Sequence, residues 1–109
     1  MGSEPQDILV VMVTAPNQEE AARIADQAVR DRHAACATVI PMAQSTYWWE
    51  GQVVSEQETV LFMKTTADRF PLLQDTIRKV HSYKVPEIIA LPVNIGLPQY
   101  LEWVRSETS

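Results

Sequence analysis

Scarcity narrows the field first. The 109-residue chain carries a single cysteine, Cys36, so it cannot close an internal disulfide and gives no reason to expect an oxidising compartment. It has only three glycines, Gly2, Gly51 and Gly96, too few and too scattered for a glycine-rich phosphate loop. Basic residues number 9 against 14 acidic ones, a net charge of −5. That balance argues against nucleic acid, whose affinity comes mainly from Lys and Arg neutralising phosphates, and against an anionic membrane surface. No apolar run approaches the ~18 residues that span a bilayer. The opening Met1-Gly2-Ser3-Glu4-Pro5-Gln6-Asp7 is polar and acidic rather than basic-then-apolar as in a secretory leader, and Gln6 stands where a myristoylation signal needs Ser or Thr. The expected location is therefore the cytoplasm. There is no Gly-x-Ser-x-Gly, Cys-x-x-Cys or His-Glu-x-x-His.

What is present reads as one small domain. Residues 1–7 are expected to be a disordered extension, 8–106 the domain and 107–109 a tail. Ile8-Leu9-Val10-Val11-Met12-Val13 is a short apolar run rich in β-branched residues, the pattern of a buried strand. Asn17 with Glu20 three residues on is a variant of the helix capping box. Ala21, Ile24, Ala25, Ala28 and Val29 recur at helical spacing, so 17–33 reads as a helix with a small-residue face that can lie close on a sheet. Residues 35–49 and 52–65 read as two strands about a Glu50-Gly51 turn, with Pro41 placing an edge or bulge in the first. Phe70, Leu73, Ile77 and Val80 mark a second helix, with Asp68 as its expected cap. Residues 88–93 form the last strand, and Pro98 opens a short helix bearing Tyr100, Leu101 and Val104 on one side. The order β-α-β-β-α-β plus a C-terminal helix is the α+β, ferredoxin-like split β-α-β plan, a four-stranded antiparallel sheet with both main helices on one face.

The strand pattern and the hairpin length both predict self-association. A sheet open to water on one face alternates apolar and polar residues. The runs 8–13, 60–63 and 88–91 do not alternate, and one chain has too little material to cover a second face. The hairpin is also long: about 14 residues per strand at roughly 3.3 Å each gives some 45 Å, against a body about 35 Å across. The tip Tyr47-Trp48-Trp49 must overhang, and adjacent aromatics on an overhang favour an interface.

Few residues offer chemistry. His33 reads as a helix-end cation. His81 begins His81-Ser82-Tyr83-Lys84-Val85-Pro86-Glu87, where imidazole and carboxylate could bind a transition metal or share a proton, or could simply fix a turn. Cys36, between alanines, reads as a small hydrophobe or a third metal ligand. Glu19-Glu20 read as capping or solvating charges. Glu56 and Glu58 share one side of a strand, either meeting a cation or guarding an exposed edge.

Tyr47-Trp48-Trp49-Glu50-Gly51, Arg32-His33-Ala34-Ala35-Cys36-Ala37, Lys64-Thr65, His81 to Ile89 with Leu91-Pro92-Val93, and Tyr100-Leu101-Glu102-Trp103 together resemble the CutA divalent-cation-tolerance family from about residue 8 to 105. The resemblance implies a homotrimer of ferredoxin-like subunits, with sheets around a three-fold axis, hairpins reaching onto neighbours, and a link to divalent metals, copper (Cu²⁺) above all. Family copper proposals use a cysteine at the end of the first strand, a histidine and the glutamate of the Pro-Glu pair. In this sequence those places hold Val13, Val80 with His81 adjacent, and Glu87. The implied function is a non-enzymatic metal-linked binding protein with Glu87, His81 and Cys36 as metal candidates and Tyr47, Trp48, Trp49, Lys64 and Tyr83 at the trimer clefts. The alternatives are a trimeric sensor or scaffold for a small ligand or protein partner, similar in fold to nitrogen-regulatory signalling proteins, and an enzyme using Lys64, Tyr83 and Glu87 as acid–base groups.

Overall fold

The computed structural model describes residues 4–109. Its elements are β1 (Ile8–Ala15), α1 (Gln18–Arg30), β2 (Cys36–Trp49), β3 (Gln52–Thr66), α2 (Phe70–Val80), β4 (Ile88–Pro92) and α3 (Pro98–Glu107). One sheet runs in the order β2-β3-β1-β4, each neighbouring pair antiparallel. This is the expected α+β plan, and the period of two decides what each strand buries. Val11 and Val13 of β1, with Leu61 and Met63 of β3, turn to one face and are wholly buried against Ile24 of α1 and Leu73 and Ile77 of α2. Each such side chain contributes about 1.5–3 kcal/mol by leaving water.

The alternate residues face the other way, and there the register groups a second apolar set. Met12 lies opposite Phe62 on one side and Ile89 on the other; Val10 lies opposite Leu91, and Ile40 opposite Val60. No helix covers this face: Ile40 is 44% exposed, Ile89 46% and Leu91 58%. The hairpin extends the molecule to 44 × 26 × 22 Å, and at its tip Trp48 and Trp49 are 73% and 60% exposed.

Local chemistry explains the element ends. Asn17 caps α1, its Oδ1 accepting the Glu20 N–H at 2.8 Å. The helix ends at Arg30, short of His33. The Arg32 N–H reaches the Val29 carbonyl and the His33 N–H that of Ala28, a Schellman closure that holds Arg32 at φ 59° without a glycine. Val29, expected on the inward face, is exposed because it follows Ala28 by one residue, about 100° round the helix from the buried stripe of Ala21, Ile24 and Ala28. Asp68 does not cap α2: Arg69 holds that position with no side-chain bond, and the Asp68 carboxylate instead accepts the Thr66 hydroxyl. Pro41 falls in a bulge between Ile40 and Ala43, with Met42 at φ 66°, on an edge strand that loses little by the missing donor. Glu50 and Gly51 both have positive φ, 49° and 79°, as a two-residue hairpin turn with the right twist requires.

Both ends of the described chain are tied down. Residues 4–7 make a turn in which Pro5 and Asp7 accept the N–H groups of Asp68 and Ala67, and Gln6 accepts from Arg105 Nε. The remainder of the expected extension, residues 1–3, lies outside the described residues. Val104 of α3 is buried with Ile8 and Ala35 at the sheet edge, and Thr108 beyond it is buried too.

Candidate functional site

Where the bare face of the sheet meets the hairpin, the segment joining α2 to β4 rises beside it and leaves a cleft of about 560 Å³. That volume lies in the usual range for a small-molecule site. Its walls are aromatic, Tyr47 and Trp49 from β2 and Tyr83 from the connecting segment. Its charged groups are Glu56 and Glu58 from β3 with Lys84 and Glu87 at the rim. Glu56 and Glu58 share a face because they are two residues apart on one strand.

Each of these two carboxylates is held by a phenol. Tyr83 Oη donates to Glu58 Oε2 at 3.0 Å, and Tyr47 Oη donates to Glu56 Oε1. Burial first, then the bond to Glu58, pushes the Tyr83 phenol well up from its ordinary range. The bond to Glu56 does the same for Tyr47, up to about 12. Both phenols therefore stay protonated donors near neutrality. Glu58 is 6% exposed, so the reading of it as an exposed edge charge is corrected: Tyr83 folds over it.

Tyr83 is positioned from below. His81 is buried, its Nε2–H donating to the Thr14 carbonyl at 2.7 Å and its Nδ1 accepting the Tyr83 N–H at 3.0 Å. This pattern assigns the proton to Nε2 and leaves Nδ1 as an acceptor. The imidazole and Tyr83 rings lie 4.7 Å apart. Glu20 reaches across from α1: its Oε2 accepts the Ser82 N–H at 2.9 Å and the Ser82 hydroxyl at 3.0 Å, and sits 3.3 Å from His81 Nδ1. Glu20 is neither a solvating charge nor the return half of a capping box. It is a buried clamp on the segment that carries the cleft wall.

The structure therefore divides the residues singled out in the sequence. Tyr47, Trp49, Tyr83 and Glu87 come together on the cleft. His81 lies beneath it with both ring nitrogens engaged, so it could offer a lone pair to a metal only by releasing Tyr83. Cys36 is at the far end of the hairpin, opposite Lys64 in the register, with Sγ 3.6 Å from Tyr100 Oη. Trp48 faces away from the cleft. His33 pairs with Thr76 through Nδ1 at 3.0 Å. Among the described residues no three His, Cys, Asp or Glu side chains gather closely enough to hold a metal ion. The trio His81, Glu87 and Cys36 does not form a Cu²⁺ site within one chain. Glu20 and Thr14 were missed by sequence reasoning, because partners 62 and 67 residues away leave no local pattern.

Comparison with known proteins agrees with this architecture. Residues 9–107 match the family described as CutA1 divalent ion tolerance protein. The chain is 44% identical over 99 residues to the Divalent-cation tolerance protein CutA of Thermus thermophilus, covering 91% of this chain and 96% of that one. It is 40% identical over 100 residues to Protein CutA 1, chloroplastic, of Oryza sativa, covering 92% of this chain but 56% of the longer plant protein. The solved divalent cation tolerance protein (Cut A1) from Thermus thermophilus superposes with a TM-score of 0.91 at 43% identity, covering 94% of this chain and 99% of that one. No described helix is long and apolar enough to cross a membrane. A match across nearly the whole chain, at this identity and with this fold, means that the protein belongs to the CutA1 divalent ion tolerance family.

Proposed function

We propose that this chain serves divalent-cation tolerance as a cytoplasmic homotrimeric binding protein rather than an enzyme, and that the Tyr47–Glu58–Tyr83–Glu87 cleft is its binding site. The observation that carries this reading is the bare sheet face. Met12, Phe62, Ile89 and Leu91 make an apolar surface on the same sheet face as Glu56 and Glu58 of the cleft, and no described part of the chain covers it. Exposed patches of this kind mark association sites. Copies packed by this face would shelter it, accept the overhanging hairpin, and wall the cleft on its open side. The carboxylates of Glu56, Glu58 and Glu87 then give the cleft its preference for cations.

The residues of one chain do not fit a resident Cu²⁺, since His81 is spent on Thr14 and Tyr83 and Cys36 lies elsewhere. A metal held by the assembly would have to draw donors from more than one copy. Light scattering at micromolar concentration is expected to give three times the 12.3 kDa chain mass. Calorimetric titration with Cu²⁺, Zn²⁺ and Mn²⁺ then tests the cation link. A folded 12.3 kDa species would overturn the assembly, and dissociation constants weaker than about 1 mM for all three ions would overturn direct metal binding.

A further inference from the structure

We propose that the cleft recognises an organic cation, specifically a small molecule carrying two ammonium or guanidinium groups, such as a diamine. This rests on the cleft being the binding site; it does not rest on the metal.

The cleft carries unmatched negative charge. Glu58 is nine-tenths buried, and its Oε2 is bonded to Tyr83. Its Oε1 takes no hydrogen bond from any described residue and keeps some access to solvent, in a side chain that lines the cleft. No Lys, Arg or His forms an ion pair with Glu56, Glu58 or Glu87 among the described residues. A largely buried carboxylate with no cationic partner has few waters to give up, and a positively charged guest at its open oxygen gains a charge-assisted hydrogen bond. Two phenols pin the carboxylates but supply no charge. They also fix each group so that its second oxygen is left for an incoming donor.

The kind of cation follows from the walls. A bare metal ion wants three or more donors converging at about 2.0–2.6 Å, and no such convergence exists here. An ammonium or guanidinium asks for less: one or two charge-assisted hydrogen bonds and aromatic faces around its carbon-bound surface. Tyr47, Trp49 and Tyr83 supply the faces and Val85 an aliphatic side. The count of charges suggests two positive groups, because three carboxylates face one ammonium, that of Lys84. Glu56 and Glu58, two residues apart on one strand, stand roughly 7 Å apart, a separation that a short aliphatic diamine bridges.

Titration calorimetry of the intact protein at low salt and neutral pH tests this with 1,4-diaminobutane, 4-guanidinobutylamine, 1-aminobutane and, in parallel, Cu²⁺ and Zn²⁺. The diamine is expected to bind with a dissociation constant below about 1 mM and at least about tenfold more tightly than the monoamine. Glu58→Gln, and separately the half-buried Glu56→Gln in case the first fails to fold, should each weaken diamine binding at least about tenfold. No diamine heat up to about 10 mM from folded wild-type protein overturns the inference. So does equal affinity for monoamine and diamine, or wild-type affinity in both folded variants. Metal heat without diamine heat sinks this inference alone and leaves the metal link standing. Diamine heat lost in the variants, with no metal heat, supports it and removes direct metal binding.

Discussion

Replacing Glu20 by alanine should cost more stability than its place on a helix surface in the sequence suggests. The carboxylate is buried and accepts two hydrogen bonds from Ser82, at 2.9 and 3.0 Å. Bonds to charged groups contribute about 1.5–3 kcal/mol each. Ser82 is itself exposed and can regain water in the variant, so the lower figure applies to both, about 3 kcal/mol together. For a domain of this size each kcal/mol moves the melting temperature by about 4–8 °C, so a fall on the order of 10–20 °C is expected. The assay is calorimetric or circular-dichroism melting at one fixed chain concentration, since association would otherwise shift the value by mass action. Both bonds go to Oε2, so Glu20→Gln can keep an acceptor for both while losing the charge, and should lose about half as much. Because Ser82→Ala removes one of the same two bonds, the double variant should be less destabilised than the sum, by about 1 kcal/mol. A Glu20→Ala protein melting within about 3 °C of wild type, with unchanged amide exchange at Ser82 and Tyr83, would refute the clamp.

Three further outcomes follow from the same contacts. The Tyr47 phenol, raised from 10.0 to about 12 by its bond to Glu56, is protonated in the folded chain where the unfolded chain has begun to lose its proton. Its contribution is full below pH 10 and fades as pH rises towards 12, so melting temperature should fall over that window and the fall should shrink in Tyr47→Phe; an unchanged profile contradicts the bond. Tyr83→Phe leaves the buried Glu58 carboxylate without its donor and should cost about 1–3 kcal/mol in denaturant unfolding, whereas Tyr83→Phe in a Glu58→Gln background should cost less. Asn17→Ala removes the acceptor for the Glu20 N–H and should cost about 1 kcal/mol by the same measurement, with Asn17→Asp near wild type.

The parts of the fold legible from sequence are those with a local cause. Runs of β-branched residues, alanines at helical spacing and glycine after Glu50 each act within a few residues. They located β1, α1 and the hairpin to within one to three residues. Local rules also misled where two groups competed for one partner. Asp68 has the right chemistry for a cap, but the Thr66 hydroxyl two residues away claims its carboxylate. Glu20 has the spacing of a capping box, but its side chain is drawn inward by Ser82, 62 residues on.

The cleft was half legible for the same reason. Its aromatic and rim residues come from two compact segments, 47–49 and 83–87, that stood out in the chain. Its charged floor did not: Glu56 and Glu58 have the alternation of an exposed edge, and only the fold of Tyr83 over them makes Glu58 a buried charge. His81 shows why this matters for function. In sequence it pairs with Glu87 as a metal-binding doublet. In the fold its two nitrogens are consumed in joining Thr14 of β1 to Tyr83, and Tyr83 in turn holds Glu58. Histidine here is spent on orienting a phenol rather than on binding a guest. Within one chain, the cleft groups that remain to meet a ligand are carboxylate oxygens and aromatic faces, which suit a hard or organic cation better than a soft one.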